Sequence, residues 1–149
     1  MHDADLPLKY QYAWPRPGVG VDNVILVGTK VLLIKRGQDP FEGYWALPGG
    51  FVNENEPVEI AARRELAEES HCTFVGEPVL IGVFSGPGRD PRGWMISVSF
   101  GIQLDELDLS TLAAGDDAKE VGLFELNELP PLAFDHAQIV AAARAKFGI

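Results

Sequence analysis

Gly50-Phe51-Val52-Asn53-Glu54-Asn55-Glu56 and, seven residues further on, Arg64-Glu65-Leu66-Ala67-Glu68-Glu69 stand in the first half of this 149-residue chain. The later stretch reads as a helix over residues 57–70. Proline fits a first helical position, Asn55 is a candidate cap, and the interior Ala, Arg, Glu and Leu are strong helix formers. On that helix Glu65, Glu68 and Glu69 are i, i+3 and i+4, within an arc of roughly 100°. Three carboxylates so crowded repel one another, and a hard divalent cation that prefers oxygen ligands removes the conflict. Arg64 stands beside them and can orient one carboxylate through paired hydrogen bonds. A solvated acidic face is the plainer reading of two adjacent glutamates. The leading glycine, the earlier glutamate and the Arg-Glu-aliphatic step, all at fixed spacing, make a pattern that a solvated face does not need.

Outward from this helix, residues 19–27 and 31–34 are β-branched and apolar on either side of Gly28-Thr29-Lys30, and read as a hairpin of largely buried strands. Residues 37–50 read as a loop rich in Gly and Pro, with Trp45 and Leu47 as anchors. Residues 74–85 and 94–104 are strand candidates split by a loop over 86–93. Residues 120–126 make a short strand, and 134–147 a C-terminal helix with Ile139, Ala142, Ala143 and Phe147 at helical spacing. Residues 1–17, with Pro7, Pro15 and Pro17, read as an extended arm. That leaves residues 18–149 as one domain of the α+β class, layered α/β/α.

With 22 acidic and 12 basic residues the net charge is −10, a poor match for nucleic acid or an anionic membrane. An anionic ligand can still bind through a locally held cation. The one cysteine, Cys72, allows no internal disulfide, fits a reducing cytoplasm, and reads as a small buried hydrophobe. The N-terminus lacks the apolar run of a signal peptide, and no stretch approaches the roughly 20 apolar residues of a membrane span. A cytoplasmic protein is expected.

Gly50, Glu56, Arg64, Glu65, Leu66, Glu68 and Glu69 resemble the Nudix box, and Trp45-Ala46-Leu47-Pro48-Gly49 looks like that family's usual approach to it. The resemblance implies a Nudix-like α/β/α sandwich around a mixed β-sheet. It implies hydrolysis of a nucleoside diphosphate linked to another group, with Mg²⁺ or Mn²⁺ held by Glu65, Glu68, Glu69 and the Gly49 carbonyl. Arg64, Glu65 and Glu69 become catalytic candidates. In resembling enzymes a glutamate beyond the box often completes the site. Glu120, after the acidic run Gly115-Asp116-Asp117-Ala118-Lys119, is the best placed here. A box glutamate is the alternative base, and a solvated turn is the plain reading of the acidic run. The box departs from the family at His71, where a glycine would form a left-handed helix cap, and at Cys72. Histidine tolerates that conformation better than most residues, so His71 is read as structural.

Gly88-Arg89-Asp90-Pro91-Arg92-Gly93 holds two arginines in a proline-stiffened loop. Such a loop is pre-organised for phosphate or carboxylate; the plain reading is a charged hairpin tip. This loop, the strand after it, Gly115-Asp116-Asp117-Ala118 and Leu132-Ala133-Phe134-Asp135-His136 resemble Nudix ADP-ribose pyrophosphatases and the sensor domains of related regulators of NAD metabolism. By this likeness the substrate is ADP-ribose and the products are AMP and ribose 5-phosphate. Arg36, Arg89 and Arg92 are phosphate contacts, Trp45 is a stacking or packing residue, and a homodimer is the assembly. Two other readings stay open. One is a house-cleaning hydrolase of nucleoside triphosphates, which would release pyrophosphate. The other is a non-catalytic ADP-ribose sensor, against which the intact box carboxylates argue.

Overall fold

The computed structural model describes residues 12–106, 112–115 and 118–149. The two leading apolar runs form the expected hairpin, β1 (Gly18–Val27) and β2 (Lys30–Arg36). Gly28 turns it with a φ of 59°, which side chains resist. Alternate residues part to opposite faces of the sheet. Val24, Leu26, Val31 and Leu33 pack to one side, Ile25 and Leu32 to the other. Burial on both faces is why these strands read as nearly unbroken apolar runs. After them come β3 (Trp45–Ala46), β4 (Gly49–Phe51), α1 (Val58–Ser70), β5 (Val79–Phe84), β6 (Met95–Leu104), β7 (Ala118–Glu125), a 3₁₀ turn (Leu126–Glu128) and α2 (His136–Phe147). The sheet is mixed, in the order β3-β2-β1-β6-β5, with β4 also paired to β1 and β7 to β2. β1 and β6 run parallel from Gly18 beside Met95 to Val27 beside Leu104. α1 covers one face with Ala61, Ala62 and Leu66, and α2 covers the other with Ile139, Val140 and Ala143. This is the expected α/β/α sandwich.

Several local expectations change. The loop over 37–50 contains β3 and β4. These exist because Trp45 and Ala46 pair with Lys35 and Ile34, and Gly49, Gly50 and Phe51 with Asp22, Val21 and Gly20. Residues 74–78 are not strand: Arg63 Nη1 donates to the Phe74 carbonyl at 3.3 Å and its guanidinium lies over the Phe74 ring. Asn55 does not cap α1. Its φ is 61°, Pro57 holds the cap position, and Glu56 Oε1 accepts the Asn53 N–H at 3.0 Å. α2 starts at His136 because Phe134, with φ 52°, cannot continue a helix. β7 begins at Ala118, ahead of the expected 120. His71 does take the left-handed conformation, φ 56° and ψ 22°, and its N–H donates to the Ala67 carbonyl at 2.9 Å. Cys72 is buried as expected, and burial pushes its thiol up to about 11. Residues 1–11 of the arm, and Asp116 and Asp117, lie outside the described residues.

Candidate functional site

A cavity of about 1150 Å³ opens between α1, β4, the first half of β1 and the N-terminus of α2. Glu65, Glu68 and Glu69 line it, with Arg64 among them. Arg64 is the hub. Its Nε and Nη2 fork onto Glu56 at 2.7 and 2.9 Å, and its Nη1 donates to Glu65 at 2.8 Å and Glu68 at 3.1 Å. Its Nη2 also reaches the Phe51 carbonyl at 3.0 Å. The box's first glutamate thus clamps the arginine, and the hydrogen bonds from Arg64 hold Glu56 down at about 2. Glu69 turns inward and accepts the Gly49 N–H at 2.8 Å. Burial, the largest influence, pushes Glu69 up to about 8 against that hydrogen bond, and the negative charges of Glu65 and Asp22 add to the push. Burial also raises Glu65. Glycine at position 50 leaves room for the Glu65 carboxylate, which a Cβ there would push aside.

The cavity also carries cations, and Arg36 among them lies near enough to Glu69 to favour its charged form. Arg36, Arg89 and Arg92 all line it. Arg89 forks onto Asp135 through Nε at 2.8 Å and Nη2 at 2.6 Å. Arg92 forks onto Asp90 at 3.0 and 2.7 Å. Arg36 Nε donates to the Pro40 carbonyl at 2.7 Å. The Phe134 ring packs against two of these cations, with ring-centre distances of 4.9 Å to Arg36 and 5.4 Å to Arg92. The left-handed conformation that excludes Phe134 from α2 goes with a ring that faces the arginines of the cavity wall.

Asp22, Ser97 and His136 complete the wall, and all three are buried. His136 Nδ1 accepts the Leu47 N–H at 3.0 Å, and its Nε2 faces Asp22 Oδ1 at 3.4 Å. Ser97 Oγ donates to Asp22 Oδ2 at 2.6 Å and lies 2.9 Å from Ser99 Oγ. Burial raises Asp22 and lowers His136. The sequence reading passed over Asp22 and Ser97, and met His136 only as the end of a motif. A signal was present: Asp22 breaks an apolar run, and Ser97 and Ser99 recur at strand spacing in another.

Two expected residues lie outside this cavity. Trp45 packs against Phe124, ring centres 4.5 Å apart, beside the core under α2. Its part is packing, and the stacking role is withdrawn. Glu120 sits on β7 opposite Lys35, in an ion pair of 3.3 Å, with its side chain 59% exposed. β7 joins the sheet at β2, and Gly115 ahead of it donates its N–H to the Glu69 carbonyl of α1 at 3.0 Å, so the segment that leads to position 120 runs past the end of the glutamate helix.

Among the described residues no three His, Cys, Asp or Glu side chains converge as a ready coordination shell. Arg64 and the Gly49 N–H hold the box carboxylates instead. The donor chemistry still fits a hard divalent cation: three carboxylates and a glycine carbonyl, with no soft ligand. Burial, the largest cause, raises the proton affinity of Glu65 and Glu69, and a bound cation would favour their charged forms. Among the described residues no helix is long and apolar enough to cross a membrane.

The profile of the NUDIX domain matches residues 15–143. The chain is 49% identical over 133 residues to an ADP-ribose pyrophosphatase of Methanocaldococcus jannaschii, spanning 89% of this chain and 76% of that one. It superposes on the NUDIX domain of Shewanella oneidensis NrtR complexed with ADP ribose, with a TM-score of 0.84 at 29% identity over 93% of this chain and 94% of that one. A bifunctional NMN adenylyltransferase/ADP ribose pyrophosphatase of Francisella tularensis, complexed with AMP and Mn ion, gives a TM-score of 0.79 at 28% identity over 91% of this chain and 43% of that one.

Proposed function

The chain belongs to the NUDIX domain family, and on that premise we propose that it hydrolyses ADP-ribose to AMP and ribose 5-phosphate with Mg²⁺ or Mn²⁺. The observation that carries this reading is one cavity lined both by a carboxylate helix and by three arginines. Its size suits a dinucleotide-like diphosphate. Likeness to a protein named an ADP-ribose pyrophosphatase, and to a domain solved with ADP ribose, adds support.

In the reaction the oxygen of water joins one phosphorus, the bridging P–O bond breaks, and each product leaves as a monophosphate. A bound divalent ion supplies charge neutralisation and a lowered pKa for water. Glu65, Glu68, Glu69 and the Gly49 carbonyl would hold that ion, and Arg64 keeps Glu65 and Glu68 in place. Glu65 or Glu69, both facing the cavity, accepts the proton of the attacking water. Arg36, Arg89 and Arg92 take the distal phosphate and ribose. The buried, reduced Cys72 fits a cytoplasmic workplace.

A panel of ADP-ribose and nucleoside triphosphates, incubated with Mg²⁺ or Mn²⁺ and resolved by mass, tests the reading. AMP and ribose 5-phosphate from ADP-ribose at the highest kcat/KM are expected. Preferential release of pyrophosphate from a triphosphate would replace this reading with the house-cleaning one. Tight ADP-ribose binding without turnover in either metal would make the protein a sensor.

A further inference from the structure

Residues 47, 48 and 49 are held from three sides. Asn23 of β1 takes the Pro48 carbonyl with its backbone N–H at 2.9 Å and its Nδ2 at 3.1 Å, and the same Nδ2 reaches the Ala62 carbonyl of α1 at 3.0 Å. Glu69 of α1 accepts the Gly49 N–H at 2.8 Å. His136 of α2 accepts the Leu47 N–H at 3.0 Å. Because Nδ1 is the acceptor, the ring proton of neutral His136 resides on Nε2, which faces Asp22 Oδ1 at 3.4 Å. Asp22 is oriented in turn by the Ser97 hydroxyl at 2.6 Å, and it is the residue paired with Gly49 across the β1–β4 ladder. His136 is 5% exposed and Asp22 9%, so water does not compete freely for either.

We propose that His136 is a positioning residue: gripped by Asp22, it grips Leu47, and so fixes the Leu47-Pro48-Gly49 segment against α1 where the Gly49 carbonyl and the box glutamates serve one cation. The inference rests on the metal role proposed above for Gly49 and those glutamates. A buried peptide N–H needs some acceptor, and a backbone carbonyl would suffice for stability alone. Here the acceptor is a side chain from the opposite helix whose second nitrogen faces a carboxylate at 3.4 Å, an arrangement that favours one direction of the ring. His136 also follows Phe134 and Asp135, which contact the three arginines. One turn of chain therefore touches both the arginines and the segment before the box.

Three variants separate the links. His136→Asn puts an amide oxygen near the place of Nδ1, keeping an acceptor for Leu47 and losing the contact with Asp22. His136→Gln reaches toward Asp22 and leaves the Leu47 N–H without its partner. His136→Leu keeps bulk and supplies neither. Mn²⁺ binding is read by electron paramagnetic resonance of the free ion in the absence of nucleotide. Melting curves and KM for ADP-ribose are recorded beside it. The Leu variant is expected to bind Mn²⁺ about tenfold to a hundredfold more weakly, the scale on which outer partners of metal ligands act. KM should move less, and Asn should recover most of the loss. A Leu variant that melts cooperatively and binds Mn²⁺ like the wild type overturns the inference, as does an Asn variant no better than Leu. Should Leu fail to fold, the comparison of Asn with Gln decides: equal Mn²⁺ binding by these two overturns the inference. A wild type that binds no Mn²⁺ overturns the metal reading itself, and the inference with it.

Discussion

Two groups in the cavity wall carry opposite charge and reach that condition by different routes. The carboxylate group comes wholly from residues 49–69: Arg64 is shared among Glu56, Glu65 and Glu68, and burial pushes Glu69 up to about 8. The arginines come from two separate segments, Arg36 from β2 and Arg89 and Arg92 from one loop, and each has an acceptor before any ligand arrives. A cluster of carboxylates is completed by a cation. Arginines already paired are held in one geometry, so a ligand meets them pre-oriented. The difference teaches that one group is built to be finished and the other to be fitted.

The largest expected effect breaks the carboxylate group. Glu69→Gln keeps shape, removes the buried charge, and should lower kcat by about a hundredfold; Glu68→Gln, at an exposed position, should lower it by about tenfold. Wild-type rates for both at saturating Mg²⁺ would unseat α1 as the site. Next come the arginines. Arg92→Ala removes a charged partner whose side chain is 41% exposed, and should cost about tenfold in kcat/KM for ADP-ribose, and less for a triphosphate. Arg89→Ala leaves Asp135, 12% exposed, without its ion pair, and should also destabilise the fold by about 3 kcal/mol; Arg92→Ala leaves Asp90, 5% exposed, with only the backbone N–H of residue 92, and should destabilise it too. Wild-type melting temperatures for both variants would show that neither pair carries stability.

A smaller effect sharpens the comparison through pH. Glu69 and Glu65 keep protons in the folded chain that the unfolded chain releases near 4.5. The folded state then binds more protons, so stability falls as pH rises toward and through about 8. His136, pushed down by burial, acts in the opposite sense only below its ordinary 6.5. Between about pH 6.5 and 8.5 the carboxylates dominate. Metal-free protein should melt lower at the alkaline end, Glu69→Gln should flatten the slope, and Mg²⁺ should raise Tm most where it no longer competes with protons. A flat Tm in wild type would mean that Glu69 is ionised in the folded chain. The smallest effect tests a residue outside both groups. His71→Gly should leave kcat unchanged and shift stability by about 1 kcal/mol or less, because φ is already left-handed there. A collapse in turnover would bring His71 into the chemistry.

What could be read in the sequence follows the same divide. The box, the leading hairpin and the left-handed cap at His71 are local, written in spacing and periodicity within a few turns of chain. β3 and β4 were not legible, because strands of two and three residues owe their existence to partners at Ile34, Lys35 and Gly20 to Asp22. The relay from Ser97 through Asp22 to His136 joins residues up to 114 positions apart, so only the polar interruptions in apolar strands hinted at it. Trp45 was open to two readings because a tryptophan before the box serves packing as readily as stacking; Phe124 decides it. Glu120 was placed by order in the chain, but its strand enters the sheet beyond β2. The arginines were identified as cations near a ligand, and their acidic partners, Asp90 and Asp135, were visible only as neighbours in motifs.

The absent side chain at Gly50 couples two positions fifteen residues apart. Glu65 occupies the space that a Cβ at position 50 would fill. A replacement at 50 must therefore push that carboxylate aside, whereas a replacement at 65 by a smaller residue meets no obstacle from 50. The two positions are thus not independent: Gly50→Ala acts on the direction of Glu65, and its effect should shrink in a chain where Glu65 is already alanine.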